Sequence, residues 1–155
     1  MQTFLPEASF FLTVGYLDMR RLGKQRVEAF QLLCALGDEW ALEERNRRNP
    51  TCEILGDGWK NHPAARMWAG CEYALGIYMN FCIEEWEDRG YKNTMAQYPG
   101  TFGIHGLHIK WPSWLGDEEF HLSHKSNLVR KDPKHYRRFW PDVPDDLPYV
   151  WPVPA

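Results

Sequence analysis

The sequence predicts a mainly α-helical fold: a compact single domain over residues 1–155, with three principal helices, long loops and a proline-rich C-terminal tail. Its length of 155 residues is typical of one domain. Apolar residues recur at steps of three and four in three segments, which is the spacing of one helix face. Five of the last fifteen residues are proline, which indicates an extended segment.

The first and third helices are predicted from their apolar sides and their ends. The first spans residues 18–36, and Gly37 follows its last turn. The third spans residues 117–130 and begins with three acidic residues, which stabilise a helix N-terminus. Its apolar side is thin and consists of Phe120, Leu122 and Leu128.

The second helix is predicted as one long helix over residues 63–89. Proline suits its first turn, Asn61 or His62 would cap it, and Gly90 would end it. We expect Trp68 and Cys71 to be largely buried and Leu75 not to be exposed, since all three belong to one apolar stripe. That stripe, at steps of three and four, consists of Met67, Trp68, Cys71, Leu75, Tyr78, Met79, Cys82 and Trp86.

The rest of the chain is predicted to be rich in loops. Residues 91–116 contain a G-I-H-G-L-H-I-K-W-P stretch with a weak tendency to pair as short strands. The tail over residues 141–155 should be extended and wrap the surface. Its predicted anchors on the core are Val150, Trp151 and Val153.

Composition and charge narrow the possible functions. The formal net charge of −3 argues against a non-specific nucleic-acid coat protein, but it allows a local basic site. No apolar run approaches the roughly 20 residues of a membrane span, and no basic region precedes the first apolar residues. We therefore expect a cytoplasmic protein without a membrane partner. The cysteines form no C-x-x-C pair and are expected to be reduced, mostly buried thiols: Cys34, Cys52, Cys71 and Cys82.

Residues 121–140 form the most basic stretch of the chain. Six lysine and arginine residues stand against one acid, Asp132, which gives a local charge of +5. Cationic groups interleaved with aromatic rings hold phosphates and stack bases. The alternative is a solvated amphipathic helix followed by a packed aromatic turn. The candidate substrate contacts here are His121, His124, Lys125, Arg130, Lys131, Tyr136 and Arg137.

A second basic cluster lies at the start of the first helix. Arg21, Lys24 and Glu28 fall on one side of it, so Glu28 is an acid within a cationic face. Such a carboxylate repels phosphate, but it could stabilise a developing sugar or iminium cation, or accept a proton. The alternative is an ordinary surface pair between Lys24 and Glu28. The basic residues of the cluster are Arg20, Arg21, Lys24 and Arg26.

Histidine is the other candidate chemistry. The chain has two H-x-x-H pairs, His105 with His108 and His121 with His124. It has no H-E-x-x-H motif and no carboxylate spaced to complete a metal triad, so we expect no catalytic metal. A metal-dependent hydrolase is therefore only a weaker alternative interpretation of the sequence. Its metal ligands would be His62, His121 and His124.

Four segments carry a resemblance to a known family. They read L-D-M-R-R-L-G-K-Q-R-V-E-A at 17–29, G-W-K-N-H-P-A-A-R-M-W at 58–68, E-D-R-G-Y-K-N-T at 87–94 and H-L-S-H-K-S-N-L-V-R-K-D-P-K-H-Y at 121–136. The chain resembles the endonuclease V-type pyrimidine-dimer DNA glycosylases, and in particular a bacterial and phage branch of that family. The resemblance covers most of the chain.

The resemblance implies a small, three-helix, cofactor-free enzyme that acts on damaged or modified duplex DNA. Such enzymes flip a nucleotide out of the helix and attack C1′ of the damaged nucleotide's sugar with the N-terminal α-amine. A Schiff base forms, and β-elimination nicks the strand. A glutamate in the first long helix is essential, and Glu28 falls at that position. Arg21, Lys24 and Arg26 would line a phosphate channel, and residues 125–138 would form the C-terminal DNA-contact region; we expect a monomer.

The turn before the second helix adds further candidates. Asn61 and His62 precede a helix N-terminus, where free N–H groups and the helix dipole favour anions. We expect both residues to face the same cleft as Glu28, with Arg66 as another substrate contact. The alternative is a helix cap beside a buried histidine.

The identity of the nucleophile stays open. The family's nucleophile is the amine of a small residue exposed by removal of the initiator methionine, whereas residue 2 here is the bulky Gln2. The nucleophile is therefore the Met1 amine, a Gln2 amine after unusual processing, or absent. An α-amine with a pKa of about 8 has a usable neutral fraction at pH 7. Without it, Lys24 could act, or a monofunctional enzyme could activate water.

Two classes of function follow from the sequence. The first is a DNA glycosylase with AP-lyase activity on a damaged or modified base. The second is a non-catalytic module that binds nucleic acid or a nucleotide in the same basic cleft, which the net charge of −3 and the bulky second residue favour. If an α-amine is the nucleophile, residues 1–5 should be ordered and lie against the first helix, close to Glu28.

Overall fold

The structure is a computed structural model that describes residues 2–49, 59–100 and 108–152. Within these ranges the chain forms helices and no strand, which confirms the predicted mainly α fold. The helices are α1 (Phe10–Tyr16), α2 (Met19–Leu36), α3 (Glu39–Arg48), α4 (Pro63–Trp68), α5 (Glu72–Asp88), α6 (Glu118–Lys131) and α7 (Pro133–Tyr136). The long helices α2, α5 and α6 are the predicted principal helices, and α1, α3 and α7 are shorter additions.

Helix α2 begins and ends where the sequence predicts. The carboxylate of Asp18 accepts the free N–H groups of Arg20 and Arg21 in the first turn. At the other end, Gly37 has a φ of 82°, a left-handed conformation that glycine adopts without strain. The N–H groups of Gly37 and Asp38 donate to carbonyls of the last turn, which closes the helix.

The prediction of a single helix over residues 63–89 is wrong, because this part of the chain forms two helices, α4 and α5, with a turn between them. Gly70 in this turn has a φ of 76°, which interrupts the helical backbone. Apolar residues continue on both sides of the turn, so the apolar spacing alone does not reveal the break. The predicted burial is confirmed for Trp68, Cys71 and Leu75.

Helix α6 forms at its predicted position and carries a short helix behind it. Asp117 caps α6 by accepting the N–H of Phe120 at 2.8 Å. The helix ends at Lys131, and Pro133 then begins the single turn of α7. Phe120 and Leu128 of its predicted apolar side are fully buried, whereas Leu122 is 39% exposed, so that part of the prediction is wrong.

The N-terminal segment is not helical, yet it is buried in the core. The Oγ1 atom of Thr3 accepts a hydrogen bond from the indole N–H of Trp68 at 2.9 Å. The carbonyl of Phe4 accepts one from the hydroxyl of Tyr78 at 2.8 Å. Both partners belong to α4 and α5, so these two helices hold the segment from one side.

The proline-rich tail begins with a turn and bends over residues 141–145 and has no regular secondary structure over residues 146–152, where it lies along α6. The N–H of Leu147 donates to Ser126 at 3.0 Å, and the N–H of Val150 donates to Ser123 at 3.2 Å. Two hydroxyls of one helix therefore fix the path of the tail through its backbone.

The predicted anchors of the tail are partly wrong. Val150 and Trp151 are 37% and 36% exposed, and Val153 lies outside the described residues. The residue between Leu147 and Val150 that packs inward is Tyr149, whose ring lies 5.5 Å from that of His124. Alternation along an extended segment accounts for Val150, because neighbouring side chains point to opposite sides. Trp151 lies on the same side as Tyr149, and its ring lies 5.5 Å from the Tyr149 ring while remaining partly exposed.

Some sequence predictions fall partly or wholly outside the described residues. The described parts of residues 91–116 contain no strand, and His105 lies in the part that is not described. Cys52 is likewise outside, whereas three other cysteines are free and buried: Cys34, Cys71 and Cys82. Among the helices of the described ranges, none has the length and apolar character needed to cross a bilayer.

Candidate active site

A cleft of about 570 Å³ opens beside the first half of α2, and we call it the cationic cleft. Its volume is within the range of about 300–1,000 Å³ typical of ligand sites. The N-terminal segment, α2, the end of α6 and the tail all contribute to its walls. Its basic lining residues are Arg20, Arg21, Lys24 and Lys131. Its other lining residues are Gln2, Phe4, Gln25, Glu28 and Tyr149.

Gln25 connects the N-terminal segment to α2 at the wall of this cleft. Its side-chain Nε2 donates to the Gln2 carbonyl at 2.8 Å and to the Glu28 carboxylate at 3.1 Å. Its Oε1 accepts the Phe4 N–H at 2.8 Å and, at 2.7 Å, shares the single proton of the Tyr78 hydroxyl with the Phe4 carbonyl. The amide thereby uses two donors and two acceptor positions, its full capacity. It fixes the N-terminal backbone next to the carboxylate of Glu28.

The carboxylate of Glu28 lies beside the backbone nitrogen of Gln2. The Gln2 N–H donates to Oε2 of Glu28 at 3.3 Å, although the two residues are 26 positions apart in the sequence. The expectation of an ordered N-terminal segment against the first helix is confirmed for residues 2–5. Met1 lies outside the described residues.

Basic side chains give the cleft its positive charge. Arg21 and Lys24 lie on the same side of α2 as Glu28, as their spacing predicts, and Arg20 and Lys131 join them. Cations arranged around a cavity attract and retain phosphate groups. Lys131 comes from the basic stretch of the sequence and reaches the cleft from the end of α6.

Arg21 is held in place by the residue that caps its helix. Its guanidinium donates to Asp18 at 2.6 Å, and the hydroxyl of Tyr136 donates to the same carboxylate at 2.7 Å. Burial alone would raise the pKa of Asp18, but these hydrogen bonds outweigh it, so the net pKa is lowered. Tyr136 is fully buried, and its predicted contact with substrate has no support in the fold.

Arg26 lines an adjoining groove of about 460 Å³ and not the cationic cleft itself; Lys24 and Glu28 line both. Its guanidinium lies 4.3 Å from the ring centre of Trp86 and donates to Asn93 at 2.7 Å. Successive helical residues turn by about 100°, so Arg26 faces the groove on the far side of Lys24 and Glu28 from the cationic cleft. Its basic character alone could not reveal this orientation.

His121 and His124 hold the N-terminal segment and have almost no exposed surface. The Leu5 N–H donates to Nδ1 of His124 at 3.0 Å, and the Leu5 carbonyl contacts Nδ1 of His121 at 2.7 Å. Burial lowers the pKa of His124 to about 3, so the ring is neutral at pH 7. The predicted substrate contact of these rings therefore has no support. In the described ranges, no three His, Cys, Asp or Glu side chains are grouped to hold a metal ion.

Three further predicted DNA contacts from the basic stretch bind the protein itself. Lys125 forms an ion pair with Glu7 at 2.7 Å. Arg130 donates to the backbone carbonyl of Asp145 at 3.2 Å, and Arg137 forms an ion pair with the side-chain carboxylate of Asp145 at 2.9 Å. These cations fix the N-terminal segment and the tail, which accounts for much of the local charge that suggested a DNA surface.

The turn before α4 does not line the cationic cleft. His62 caps helix α4, because its Nδ1 accepts the N–H of Ala64 at 3.1 Å. Burial lowers its pKa. Its ring lies 6.2 Å from Trp151, which lies 5.5 Å from Tyr149 in the cleft wall. Asn61 and Arg66 are exposed. Aromatic contacts connect His62 to the edge of the cleft without placing it in the lining.

Sequence reasoning missed three residues of the cleft. Gln25 lies three positions before Glu28, and that spacing could have placed it on the same side of the helix. Phe4 was noted as an apolar anchor but not as part of a site. No signal pointed to Tyr149, because its place depends on the path of the tail along α6.

The fold and the cleft define a small helical protein whose cleft holds one carboxylate among basic side chains. The family model described as pyrimidine dimer DNA glycosylase matches residues 1–98, more than half of the chain. The chain therefore belongs to the pyrimidine dimer DNA glycosylase family, whose substrate is DNA. The search of curated proteins and the search of solved structures each found no match.

Proposed function

We propose that this chain is a DNA glycosylase with AP-lyase activity on a damaged or modified base. One observation carries the proposal: the backbone nitrogen of Gln2 lies 3.3 Å from the carboxylate of Glu28, in a cleft with cationic walls. Covalent geometry keeps the nitrogens of adjacent residues within about 4 Å of each other. An α-amine at residue 2 would therefore lie beside Glu28, and an α-amine at residue 1 would be tethered within about 4 Å of the Gln2 nitrogen.

An amine at this place can attack C1′ of a nucleotide sugar. A new N–C1′ bond forms as the bond between C1′ and the base breaks. The base leaves with the electrons of the broken bond and takes up a proton. The C1′–O4′ bond then opens as O4′ is protonated, and a C=N Schiff base forms. Loss of a proton from C2′ expels the 3′ phosphate and nicks the strand. Water finally hydrolyses the C=N bond and restores the amine.

Glu28 supports this chemistry through its negative charge. It can stabilise the positive charge that develops at C1′ and on the Schiff base, and it can accept a proton from the attacking amine. The basic residues of the cleft hold the phosphates on either side of the nucleotide. Phe4 and Tyr149 offer aromatic surfaces for a base that has left the stack.

Two α-amines are candidates for the nucleophile. Gln2 is bulky and resists removal of the methionine before it, which favours the Met1 amine. A Gln2 amine exposed by unusual processing would itself donate to Glu28. The intact mass of the purified protein identifies which amine is present, and it also detects cyclisation of an N-terminal glutamine.

Borohydride trapping tests the proposal. The protein is incubated with duplex DNA that contains an abasic site, and borohydride reduces the C=N bond to a stable amine link. We expect a covalent adduct with the wild-type protein and none when a peptide extension blocks the N-terminus. Glu28→Gln should lose turnover but keep or raise DNA affinity, because it removes a charge that repels phosphate. Glu87→Gln, at an exposed position of α5, is the matched control.

Each other outcome supports a different function. An adduct that forms equally with a blocked N-terminus would assign the nucleophile to a lysine such as Lys24. Base release without any adduct would indicate an enzyme that activates water. DNA binding with neither base release nor adduct would indicate a non-catalytic binding module and would refute the proposal.

A further inference from the structure

Gln2 carries a side-chain amide that is buried and unpaired. The residue is 8% exposed, and neither Nε2 nor Oε1 has a hydrogen-bond partner. A buried amide without partners is unfavourable, because it has left water and gained nothing in exchange. The neighbouring amide of Gln25 is also buried, but it uses its full hydrogen-bonding capacity. The two amides therefore have different roles.

The Gln2 side chain lies on the cleft side of the N-terminal segment. Side chains of an extended segment alternate between its two sides. Thr3 points into the core, where it accepts the indole N–H of Trp68. Gln2 and Phe4, the residues on either side of Thr3, both line the cationic cleft. The unpaired amide thus belongs to a residue of the cleft wall, and because both of its polar atoms are enclosed in the free protein, the side chain has to turn toward the cleft to meet a base.

We propose that the Gln2 amide reads the edge of a nucleobase that enters the cationic cleft. The identity of this ligand rests on the proposed function. An amide presents a hydrogen-bond acceptor beside two donors, and a nucleobase edge presents an acceptor beside a donor. The two can form a pair of parallel hydrogen bonds, which satisfies both atoms that the free protein leaves unpaired. A nucleotide without a base cannot satisfy them, so the contribution of Gln2 depends on the base.

Binding to three duplexes of one sequence tests this inference. The first contains a cis-syn thymine dimer, the second has a tetrahydrofuran abasic analogue in place of one dimer nucleotide, and the third has the analogue opposite the dimer. Gln2→Met keeps a long unbranched side chain and removes the amide. Gln97→Met, at a partly buried glutamine outside the cleft lining, is the matched control. Each protein also carries Glu28→Gln, so that the DNA is not consumed.

We expect Gln2→Met to bind the dimer duplex about tenfold more weakly, as expected for a lost bidentate base contact. The loss should vanish on the abasic duplex that lacks the contacted base, and Gln97→Met should show no such pattern. Gln2→Met should also raise the Tm, because it removes two unpaired buried atoms. A glutamine with a purely structural role would lower the Tm when replaced.

Equal losses on all three duplexes, or no loss on any of them, would overturn the inference. A lowered Tm without a change in base preference would also overturn it and make Gln2 structural. The wild-type borohydride adduct tests the proposed function separately. An adduct without a base preference would leave the lyase chemistry standing without this contact. A Gln2-dependent base preference without an adduct would support base reading in a protein that lacks the chemistry.

Discussion

Replacing Gln25 by leucine should both destabilise the fold and disable the site. Leucine has a similar size but cannot hydrogen-bond, so it leaves the Gln2 carbonyl and the Phe4 N–H without their partner. The Tyr78 hydroxyl keeps its bond to the Phe4 carbonyl. An unsatisfied buried group costs about 1–3 kcal/mol, so two of them should lower the free energy of unfolding by about 2–6 kcal/mol.

Urea unfolding followed by tryptophan fluorescence measures this loss, since the chain contains eight tryptophans. Gln97→Leu, outside the cleft, is the control and should change stability by less. The same Gln25 variant should give less borohydride adduct under conditions where it remains folded, because the N-terminal backbone is no longer held beside Glu28. A loss below about 1 kcal/mol with full adduct formation would refute the positioning role of Gln25.

Three further predictions follow from the contacts described. Burial lowers the pKa of His124 to about 3 from an ordinary value of about 6.5. The contribution of the neutral ring to the free energy of unfolding is therefore complete above pH 6.5, and it falls by about 1.4 kcal/mol for each pH unit below that value. Urea unfolding at several pH values checks this, and a flat profile between pH 6 and 4 would contradict it. Gly76→Ala should destabilise the fold by about 1–3 kcal/mol, because its new methyl group collides with the ring of Tyr98, and thermal unfolding measures this. Lys131→Ala should reduce the salt dependence of DNA binding by about one ion, whereas Arg137→Ala should not, since Arg137 binds the tail; equal slopes for the two variants would show that the cleft does not hold phosphate.

The helices could be predicted where the sequence contains their ends. Asp18 and Gly37 mark the limits of α2, because a side-chain cap and a left-handed glycine act locally. The break between α4 and α5 could not be predicted, since apolar residues continue through the turn at Gly70. A glycine within a segment of helical apolar spacing can occur in a continuous helix or can interrupt it. Tertiary packing decides which of the two forms, and the local sequence does not.

The site could be predicted only in part, for a related reason. Helical spacing placed Arg21, Lys24 and Glu28 together, because neighbours at three and four positions share a side. The same spacing did not place Arg130, whose cationic group binds the tail instead of facing a ligand. Charge along a sequence does not reveal whether a partner within the chain neutralises it. Tyr149 depends on the path of the whole tail, which no local pattern encodes.

The walls of the cationic cleft come from opposite ends of the chain, and this sets when the site can form during synthesis. Phe4 leaves the ribosome early, but Lys131 and Tyr149 follow more than a hundred residues later. Closing such long-range contacts is slow compared with forming local helices. Helices α2 and α5 can pair while the chain is still growing, yet the N-terminal segment lacks the histidines of α6 until late. The nascent chain therefore lacks a complete cationic cleft until the residues of α6 and the tail are synthesised, and we expect the site to form late in folding.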